Sequence, residues 1–413
     1  FSDIVISHYP NAVVLRQSII DFGTIPLWSP TILSGYPFFA QPIAGLWYPF
    51  GLPALLLPLP FGFNLLAFFH IIWGGVGMYG LLRSEKLSHP ASLVGALGFE
   101  LLPKIFAHYG AGHLTLVYAI AWTPWLMLSA LKQNWKFQIS GRTFQLGIVS
   151  GLILALICLA DPRWAPFAGL LWMFYWLTHH SNLGKNIQSA KSFCGRFREY
   201  WVKYHMLPLG AQIIISVLVA APLLFPLLEY TRLSTRSHLS PTDFFVFSLP
   251  PVRLLGLIFP DWGGNHELVL YPGGAILVLG LIALIGHPSN LKKRFWFWTV
   301  LLSLIYALGS NLPFLNSMAQ LPGISLLRVP SRALFITGMA LSVIAAYGVE
   351  VLLHPSKIQN HRRINLVLMA LAGFVLILTV GIIVLTGELL ANFVWGAAMV
   401  GFAVLGAGII LGK

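Results

Sequence analysis

The run Gly62-Phe-Asn-Leu-Leu-Ala-Phe-Phe-His-Ile-Ile-Trp-Gly-Gly-Val-Gly-Met-Tyr-Gly-Leu-Leu82 contains no Asp, Glu, Lys or Arg, and Arg83 follows it directly. A helix of about 20 residues, rising about 1.5 Å per residue, crosses a hydrocarbon core of about 30 Å. Long apolar runs of this kind recur along the chain and are separated by charged or proline-rich breaks. The sequence therefore predicts a protein that crosses the membrane many times.

Composition supports the same fold class. Of 413 residues, 57% are hydrophobic and 9% are charged, and the mean hydropathy is +0.80. A water-soluble fold of this composition would expose far more apolar surface than water tolerates. We predict an all-α polytopic membrane protein with about 11 transmembrane helices, near residues 62–82, 89–107, 114–131, 143–160, 164–178, 209–228, 273–287, 295–309, 332–353, 364–386 and 391–411.

The positions of the basic residues predict how the chain is oriented in the membrane. If residues 83–88 are cytoplasmic, the same side receives 17 of the 25 Lys and Arg residues and only three acids. Cytoplasmic loops carry such an excess of positive charge, so residues 1–61 are predicted to lie outside. The net charge of +13 then reflects loops that face anionic lipid, and it requires no nucleic-acid partner.

The chain is predicted to form a single integral membrane domain in four segments. These are the first extracytoplasmic loop 1–61, a transmembrane bundle 62–228, a second long outer loop 229–272, and a second bundle 273–413. In the first loop, a helix over residues 11–22 precedes a run rich in proline and aromatic residues, which favours the membrane interface. An outer amino end without a preceding apolar segment predicts a further helix before Phe1, and more residues are expected after Lys413. Cys158 and Cys194 predict no disulfide framework.

Several motifs keep their order along most of the chain and resemble the bacterial YfhO family, which is related to the GT-C glycosyltransferases. They are Asp3…Tyr9-Pro10, Gly23-x-x-Pro26-Leu-Trp28-x-Pro30, Gly35-x-Pro37, Tyr48-Pro49, Ala121-Trp-x-Pro124, Pro260-Asp-x-Gly-Gly264, Tyr271-x-Gly273 and Arg328-Val-Pro-Ser-Arg332. The resemblance implies a transferase of the bacterial cytoplasmic membrane whose active site faces outside. Its donor would be a sugar on polyprenyl phosphate, and its acceptor a teichoic acid, another glycan, a lipid or a protein. The first helix of such proteins is absent from this sequence.

The resemblance places Asp3 where these enzymes carry an acid in the first outer loop. A carboxylate there takes the proton of the acceptor hydroxyl or helps to hold a divalent cation, Mg or Mn. The alternative is an ordinary acid at a helix end or in a loop. His8, five residues on, is predicted to line the same cleft or to be a hydrogen-bonded surface histidine.

Arg328 and Arg332 are four residues apart before the apolar window 332–353, so they are predicted to share one helix face on the outer side. Cations there oppose both the charge bias of the loops and the helix dipole, which predicts an anionic partner such as the donor phosphate. The alternative is a structural salt bridge to an acid. Asp243, Asp261 and Glu229 are the candidate acids. Arg163 and Lys104 are the other predicted phosphate ligands.

Glu100, Lys104 and His108 recur every four residues near the outer end of one apolar window. Charged groups at membrane depth normally face a cavity or one another. We predict that Glu100 and Lys104 either line a hydrophilic cleft with His108 or neutralise each other. His113 is predicted to contact the donor or to serve as a loop histidine.

Two outer segments carry further cleft-lining candidates. In Asp161-Pro162-Arg163 the Asp is a good N-cap and the Pro fits a first helical turn. The segment is therefore predicted either to start a helix or to bind a ligand. The segment from Pro260 to Glu267 offers Asp261, His266 and Glu267 as oxygen and nitrogen ligands. Their spacing matches no specific metal motif, so a loop is predicted there, with a binding role as the alternative. His70 and Glu350 are predicted to be polar packing groups.

Motifs that are absent narrow the choice of donor. The chain has no Walker-type phosphate loop, no dinucleotide fingerprint and no Gly-x-Ser-x-Gly turn. A lipid-linked donor is therefore predicted rather than a cytoplasmic nucleotide sugar. The main alternative is a transporter or flippase of lipid-linked glycan intermediates, which charges in the membrane would suit. A third reading is a noncatalytic membrane scaffold.

Overall fold

The computed structural model describes residues 2–30, 34–131, 142–180, 206–234, 240–260, 265–286, 291–318, 324–354, 361–386 and 391–411. Within these ranges all regular elements are helices, and the isolated β-bridge between Ser29 and Tyr36 is the one strand-like pairing. The predicted all-α class is therefore confirmed for the described residues.

Sixteen helices are used below, labelled in chain order. They are α1 (Tyr9–Arg16), α2 (Leu59–Ser84), α3 (His89–Glu100), α4 (Pro103–Ala111), α5 (Leu114–Ala121), α6 (Thr123–Leu131), α7 (Arg142–Ala160), α8 (Ala165–His180), α9 (Leu207–Arg232), α10 (Pro241–Phe244), α11 (Gly274–Gly286), α12 (Leu291–Ala307), α13 (Pro313–Met318), α14 (Ala333–Leu353), α15 (His361–Thr386) and α16 (Ala391–Leu411).

All eleven apolar windows of the sequence lie on helical segments. Seven helical spans in the described residues are long and apolar enough to cross a membrane, and two further apolar helices, Gly147–Ala160 and Gly274–Gly286, are shorter. The protein is therefore a multi-pass membrane protein, and the count of eleven crossings stays a prediction. The spans are Leu59–Ser84, His89–Ala111, Leu114–Leu131, Leu207–Arg232, Pro330–Leu353, Arg362–Val384 and Asn392–Ile410.

The chain forms two compact units whose boundaries differ from the four predicted segments. Unit 1 comprises Phe1–Gly77 and His108–Ser240, and unit 2 comprises Met78–Ala107 and Pro241–Lys413. In unit 1, α7 packs along α9. In unit 2, α3, α11 and α12 all pack on α14.

In unit 1, residues before the predicted helix at 11–22 are already helical. Helical structure starts at Ile4 instead of residue 11, because π-type turns at Ile4–His8 and Gln17–Asp21 extend α1 at both ends. Short 3-10 turns follow at Phe38–Ala40, Pro42–Ala44 and Leu52–Leu56, where prolines prevent longer helices. The inner faces of these turns and of α1 form a buried apolar cluster that includes Leu15, Phe38 and Leu55.

Close helix packing in unit 2 depends on small residues. Gly348 of α14 lies against the backbone carbonyl of Leu279 in α11, so a Cβ atom at this position would collide with that oxygen. Small residues allow helix backbones to approach in this way inside membranes. The buried carboxylate of Glu85 accepts hydrogen bonds from Trp296 Nε1 at 3.0 Å and from Tyr347 Oη at 2.5 Å.

One predicted spanning segment is interrupted. The window 89–107 consists of α3 and α4, and the break at Leu101 and Leu102 directly precedes Pro103. A proline disfavours helical backbone in the residue before it, which explains the position of the break.

Candidate functional site

Asp3 lies directly before the helical stretch that begins at Ile4 in unit 1. Its Oδ2 atom is 3.4 Å from Nε2 of His113, and 48% of the Asp3 side chain is exposed. Gly112, with φ +93°, permits this arrangement, because a Cβ atom there would lie 2.5–2.6 Å from Ser2 Oγ and from the backbone nitrogens of Asp3 and Ile4. The turn between α4 and α5 therefore positions both the carboxylate and the imidazole.

His8 is buried beside this pair. Burial lowers the pKa of His8 to about 4, and the charges of Asp3, Arg163, Asp161 and His113 also act on its imidazole. His8 is therefore neutral at pH 7. The structure brings four predicted site residues around it, although the imidazole is a buried group rather than a surface histidine.

Asp161 and Arg163 form an ion pair within one turn. Asp161 Oδ1 accepts hydrogen bonds from the backbone nitrogen of Arg163 at 3.0 Å and from Arg163 Nε at 2.8 Å. Its Oδ2 accepts from Arg163 Nη2 at 2.6 Å and from Thr115 Oγ1 at 3.1 Å. Asp161 is buried, whereas 40% of the Arg163 side chain is exposed. The acid fixes the guanidinium at the surface of unit 1.

A cavity of about 50 Å³ adjoins His8. Its lining includes Thr115, Tyr48 and Tyr118, with apolar side chains such as Leu66 completing the wall. Tyr48 Oη donates to Nε2 of His70 and accepts a hydrogen bond of 2.8 Å from Trp122 Nε1. Burial raises the pKa of the Tyr48 phenol, so the hydroxyl stays protonated at neutral pH.

His70 is a polar packing residue, as predicted from the sequence. Its Nδ1 lies 2.8 Å from the carbonyl oxygen of Leu66, one helical turn earlier in α2. Since Nδ1 donates to that carbonyl, Nε2 is the acceptor for the Tyr48 hydroxyl. Both ring nitrogens are thus engaged within unit 1.

In unit 2, Lys104 lies at the centre of a buried polar cluster. Its Nζ donates to the backbone carbonyl of Glu267 at 2.6 Å and lies 5.0 Å from the ring centroid of Phe335. Its second carbonyl contact, to His266, is 3.5 Å long. The ammonium group therefore holds the turn at His266–Leu268 in place.

Arg332 shares this cluster. Its Nε is 3.8 Å from Oε1 of Glu267, and both side chains are almost fully buried. Ser331 Oγ lies 3.5 Å from Oε2 of the same carboxylate. The salt-bridge alternative for Arg332 thus involves Glu267, an acid that was not among the three predicted partners.

Arg328 does not share a helix face with Arg332. Val329 between them adopts left-handed backbone with φ +65°, so Arg328 precedes the helical segment instead of belonging to it. Its Nε donates to the backbone carbonyl of Asp243 at 2.8 Å. The prediction that Arg328 and Arg332 share one helix face was therefore wrong, because it assumed a continuous helix.

The predicted stripe of Glu100, Lys104 and His108 is also interrupted. The break before Pro103 separates Glu100 from α4, and Lys104 contacts the carbonyl of Glu267 rather than the Glu100 carboxylate. The predicted mutual neutralisation is therefore not observed. In unit 1, His108 is buried with its ring 5.3 Å from that of His113. Asp261 lies outside the described residues.

Some residues of these sites have no signal in the sequence. Gly112 is one example, because its role follows from the approach of the amino-terminal backbone, more than 100 positions away in the chain. Glu267 was predicted as a possible ligand of its loop, but not as the partner of Arg332. Tyr48 was predicted only as one of the aromatic residues of its loop, not as a hydrogen-bonding residue of the site.

Comparisons with known proteins found no matching family model, no similar protein among curated sequences and no similar solved structure.

Proposed function

We propose that this protein is a membrane glycosyltransferase that transfers a sugar from polyprenyl phosphate to a cell-envelope acceptor on the outer face of the bacterial cytoplasmic membrane. The observation that supports it most is the half-exposed Asp3 carboxylate, held next to His113 at the start of the outer segment. The resemblance of the sequence motifs to the YfhO family supplies the donor class.

The proposed reaction is a single displacement. The acceptor hydroxyl attacks the anomeric carbon while its proton passes to a carboxylate oxygen of Asp3. The bond from the anomeric carbon to the phosphate oxygen breaks, and polyprenyl phosphate leaves with that electron pair. One displacement at the anomeric carbon inverts its configuration.

His113 and His8 assist Asp3 in different ways. His113 Nε2, 3.4 Å from the carboxylate, orients it toward the acceptor. His8 is neutral at pH 7, since burial lowers its pKa to about 4, and therefore adds no positive charge that would weaken the base.

Arg163 is the donor-phosphate ligand that the geometry favours in unit 1. Its side chain is 40% exposed while Asp161 fixes its orientation. Arginine binds phosphate oxygens through several N–H groups at once. Lys104 and Arg332 are buried in unit 2 and contact Glu267, so Arg163 is the residue that we propose for the donor phosphate.

As the alternative to its role as a base, Asp3 would help to hold a divalent cation. Asp3 Oδ2 and His113 Nε2 are close enough to bind one ion together, and an oxygen with an imidazole nitrogen suits Mn²⁺ better than Mg²⁺. Such a cation would stabilise the negative charge of the departing phosphate. Asp3 and His113 would hold it.

The fate of a labelled sugar tests the proposal. The protein is reconstituted in vesicles with radiolabelled polyprenyl-phosphate sugars and a cell-envelope extract. Transfer of label to an acceptor in the extract is expected. Label that crosses the bilayer but stays on its carrier would instead identify a flippase, and label that does neither would contradict both readings.

A further inference from the structure

The small cavity beside His8 is lined by polar side chains from three segments of unit 1. His8 belongs to the helical stretch that begins at Ile4, and Thr115 and Tyr118 lie three residues apart on α5. Tyr48 lies in the irregular segment before α2. Segments that are distant in the sequence thus meet around one polar space.

The hydroxyl group of Tyr118 needs a partner that the protein does not supply. Its Oη atom is buried and has no hydrogen-bond partner in the part of the chain that the structure describes. Tyr118 lies in the membrane-spanning segment Leu114–Leu131, where lipid offers no hydrogen bonds. A buried hydroxyl that has lost its bonds to water without replacing them is costly, so a polar guest next to it is favoured.

The imidazole of His8 has the same need. Among the described residues none forms a hydrogen bond with it, and only burial and the charges around it act on its pKa. A neutral imidazole carries one N–H donor and one nitrogen acceptor. A guest that satisfies His8 must therefore both accept and donate hydrogen bonds.

Two further oxygens of the cavity wall can accept a hydrogen bond. Thr115 Oγ1 donates its hydrogen to Asp161, and Tyr48 Oη donates to His70 while it accepts from Trp122. A hydroxyl oxygen has two lone pairs, so each of these oxygens keeps acceptor capacity. The wall thus offers donors and acceptors together.

The size and charge of the cavity limit its guest. Its volume of about 50 Å³ is far below the roughly 300–1,000 Å³ of pockets that bind small organic ligands. The described lining residues include no Asp, Glu, Lys or Arg, so an ion would find no opposite charge in the wall. A water needs about 10–15 Å³ of such space and typically makes about three hydrogen bonds, so the cavity has room for about three waters.

We propose that this cavity is a binding site for a cluster of about three ordered waters that joins His8 to Tyr118 and Thr115. The cluster would connect the helical stretch that follows Asp3 to α5. Through Thr115 it would reach Asp161, the acid that holds Arg163. The polar groups and the volume carry this inference, so it does not depend on the proposed function.

Radiolytic labelling tests for the waters directly. The full protein in detergent is equilibrated with H₂¹⁸O and exposed to short X-ray pulses, which turn a bound water into a hydroxyl radical that oxidises the side chain beside it. Tyr118 should be oxidised several-fold faster than Tyr175, which is equally inaccessible to solvent and does not line the cavity. Oxidation of Tyr118 as slow as that of Tyr175 would overturn the proposal.

Tyr118→Phe tests it through the sign of a stability change. If waters bond to the hydroxyl, its removal deprives them of a partner, and the thermal midpoint should fall by about 2–4 °C. If the hydroxyl has no partner in the folded protein, its removal ends an uncompensated cost, and the midpoint should stay or rise. Tyr9→Phe, at an exposed position, is the control for loss of a hydroxyl. A midpoint of Tyr118→Phe at or above that of wild type would contradict the water cluster.

The role of His8 in the cluster is tested by the same labelling. His8→Leu removes both ring nitrogens, so the waters should be held less well and oxidation of Tyr118 should fall several-fold. Val5→Leu, at an exposed position of the same stretch, should keep the wild-type rate. Unchanged oxidation in folded His8→Leu would overturn the assignment of His8 as a partner of the waters.

Discussion

At the scale of single residues, the site of unit 1 depends on one glycine. Gly112 has left-handed backbone and lies against the backbone of residues 2–4, so the turn that carries His113 also fixes Asp3. Glycine adopts this conformation without the steric cost that a side chain brings. The neighbouring Gly110 has open space around its Cβ position.

Gly112→Ala should therefore displace the Asp3 segment and destabilise the protein by about 1–3 kcal/mol. Gly110→Ala, in the same helix end, should leave stability close to that of the wild type. Thermal unfolding of both purified variants in detergent measures the difference. Identical midpoints for Gly112→Ala and wild type would contradict the described contact.

His8 predicts a stability that depends on pH. Its pKa is about 4 in the folded protein and 6.5 in an unfolded chain, so the unfolded state binds more protons between these values. Folding stability contributed by neutral His8 is complete above pH 6.5 and is lost as pH falls toward 4. Between pH 7 and pH 5 the loss is about 2 kcal/mol, at 1.36 kcal/mol per pKa unit.

Replacing His8 with Gln should remove this part of the acid sensitivity. Denaturation at several pH values should show a shallower slope below pH 6.5 for His8→Gln than for wild type. Gln17→Asn, an exposed change in the same helical stretch that alters no titratable group, should retain the wild-type slope. An unchanged slope in His8→Gln would show that His8 does not titrate as described.

At the scale of elements, helix positions were predictable, but their partners were not. Long apolar runs follow from local composition, so all eleven windows lie on helices. The break at Leu101 and Leu102 was not predicted, although Pro103 follows it directly. By contrast, the pairing of Arg332 with Glu267 joins segments 65 positions apart, and only packing selects it over Asp243 or Glu229. The cavity beside His8 likewise arises from packing.

Arg332→Met should destabilise unit 2, because it leaves the buried carboxylate of Glu267 without its nearby guanidinium. Removing one partner of a buried pair typically costs about 3–5 kcal/mol. Arg362→Met, at an exposed position of α15, should change stability by less than about 0.5 kcal/mol. Chemical denaturation of the two variants gives the comparison, and equal effects would contradict a buried role for Arg332.

The close packing between α11 and α14 predicts that a larger residue at Gly348 destabilises unit 2. Gly348→Ala would place a methyl group against the carbonyl of Leu279 and should destabilise by about 1–3 kcal/mol. Gly373→Ala, in α15 with open space at the Cβ position, is the matched control. Thermal midpoints that fall equally in both variants would argue against this close approach.

At the scale of the whole molecule, charge distribution decides which side faces outside. The positive loops predict that Ser34 faces outside and that Cys194, in a segment outside the described residues, faces the cytoplasm. A thiol reagent that cannot cross membranes should label Ser34→Cys in intact cells when Cys194 is replaced by Ser. The native Cys194 should react only after permeabilisation, and the reverse pattern would invert the orientation.

If Asp3 removes the proton of the acceptor hydroxyl during sugar transfer, the transfer rate of Asp3→Asn should show it. A general base contributes about 10²–10⁴-fold, so the rate should fall by that factor while the fold is retained. Asp21→Asn, at the exposed other end of the same helical stretch, should transfer sugar at the wild-type rate. A correctly folded Asp3→Asn protein that transfers sugar as fast as wild type would show that Asp3 is not the base.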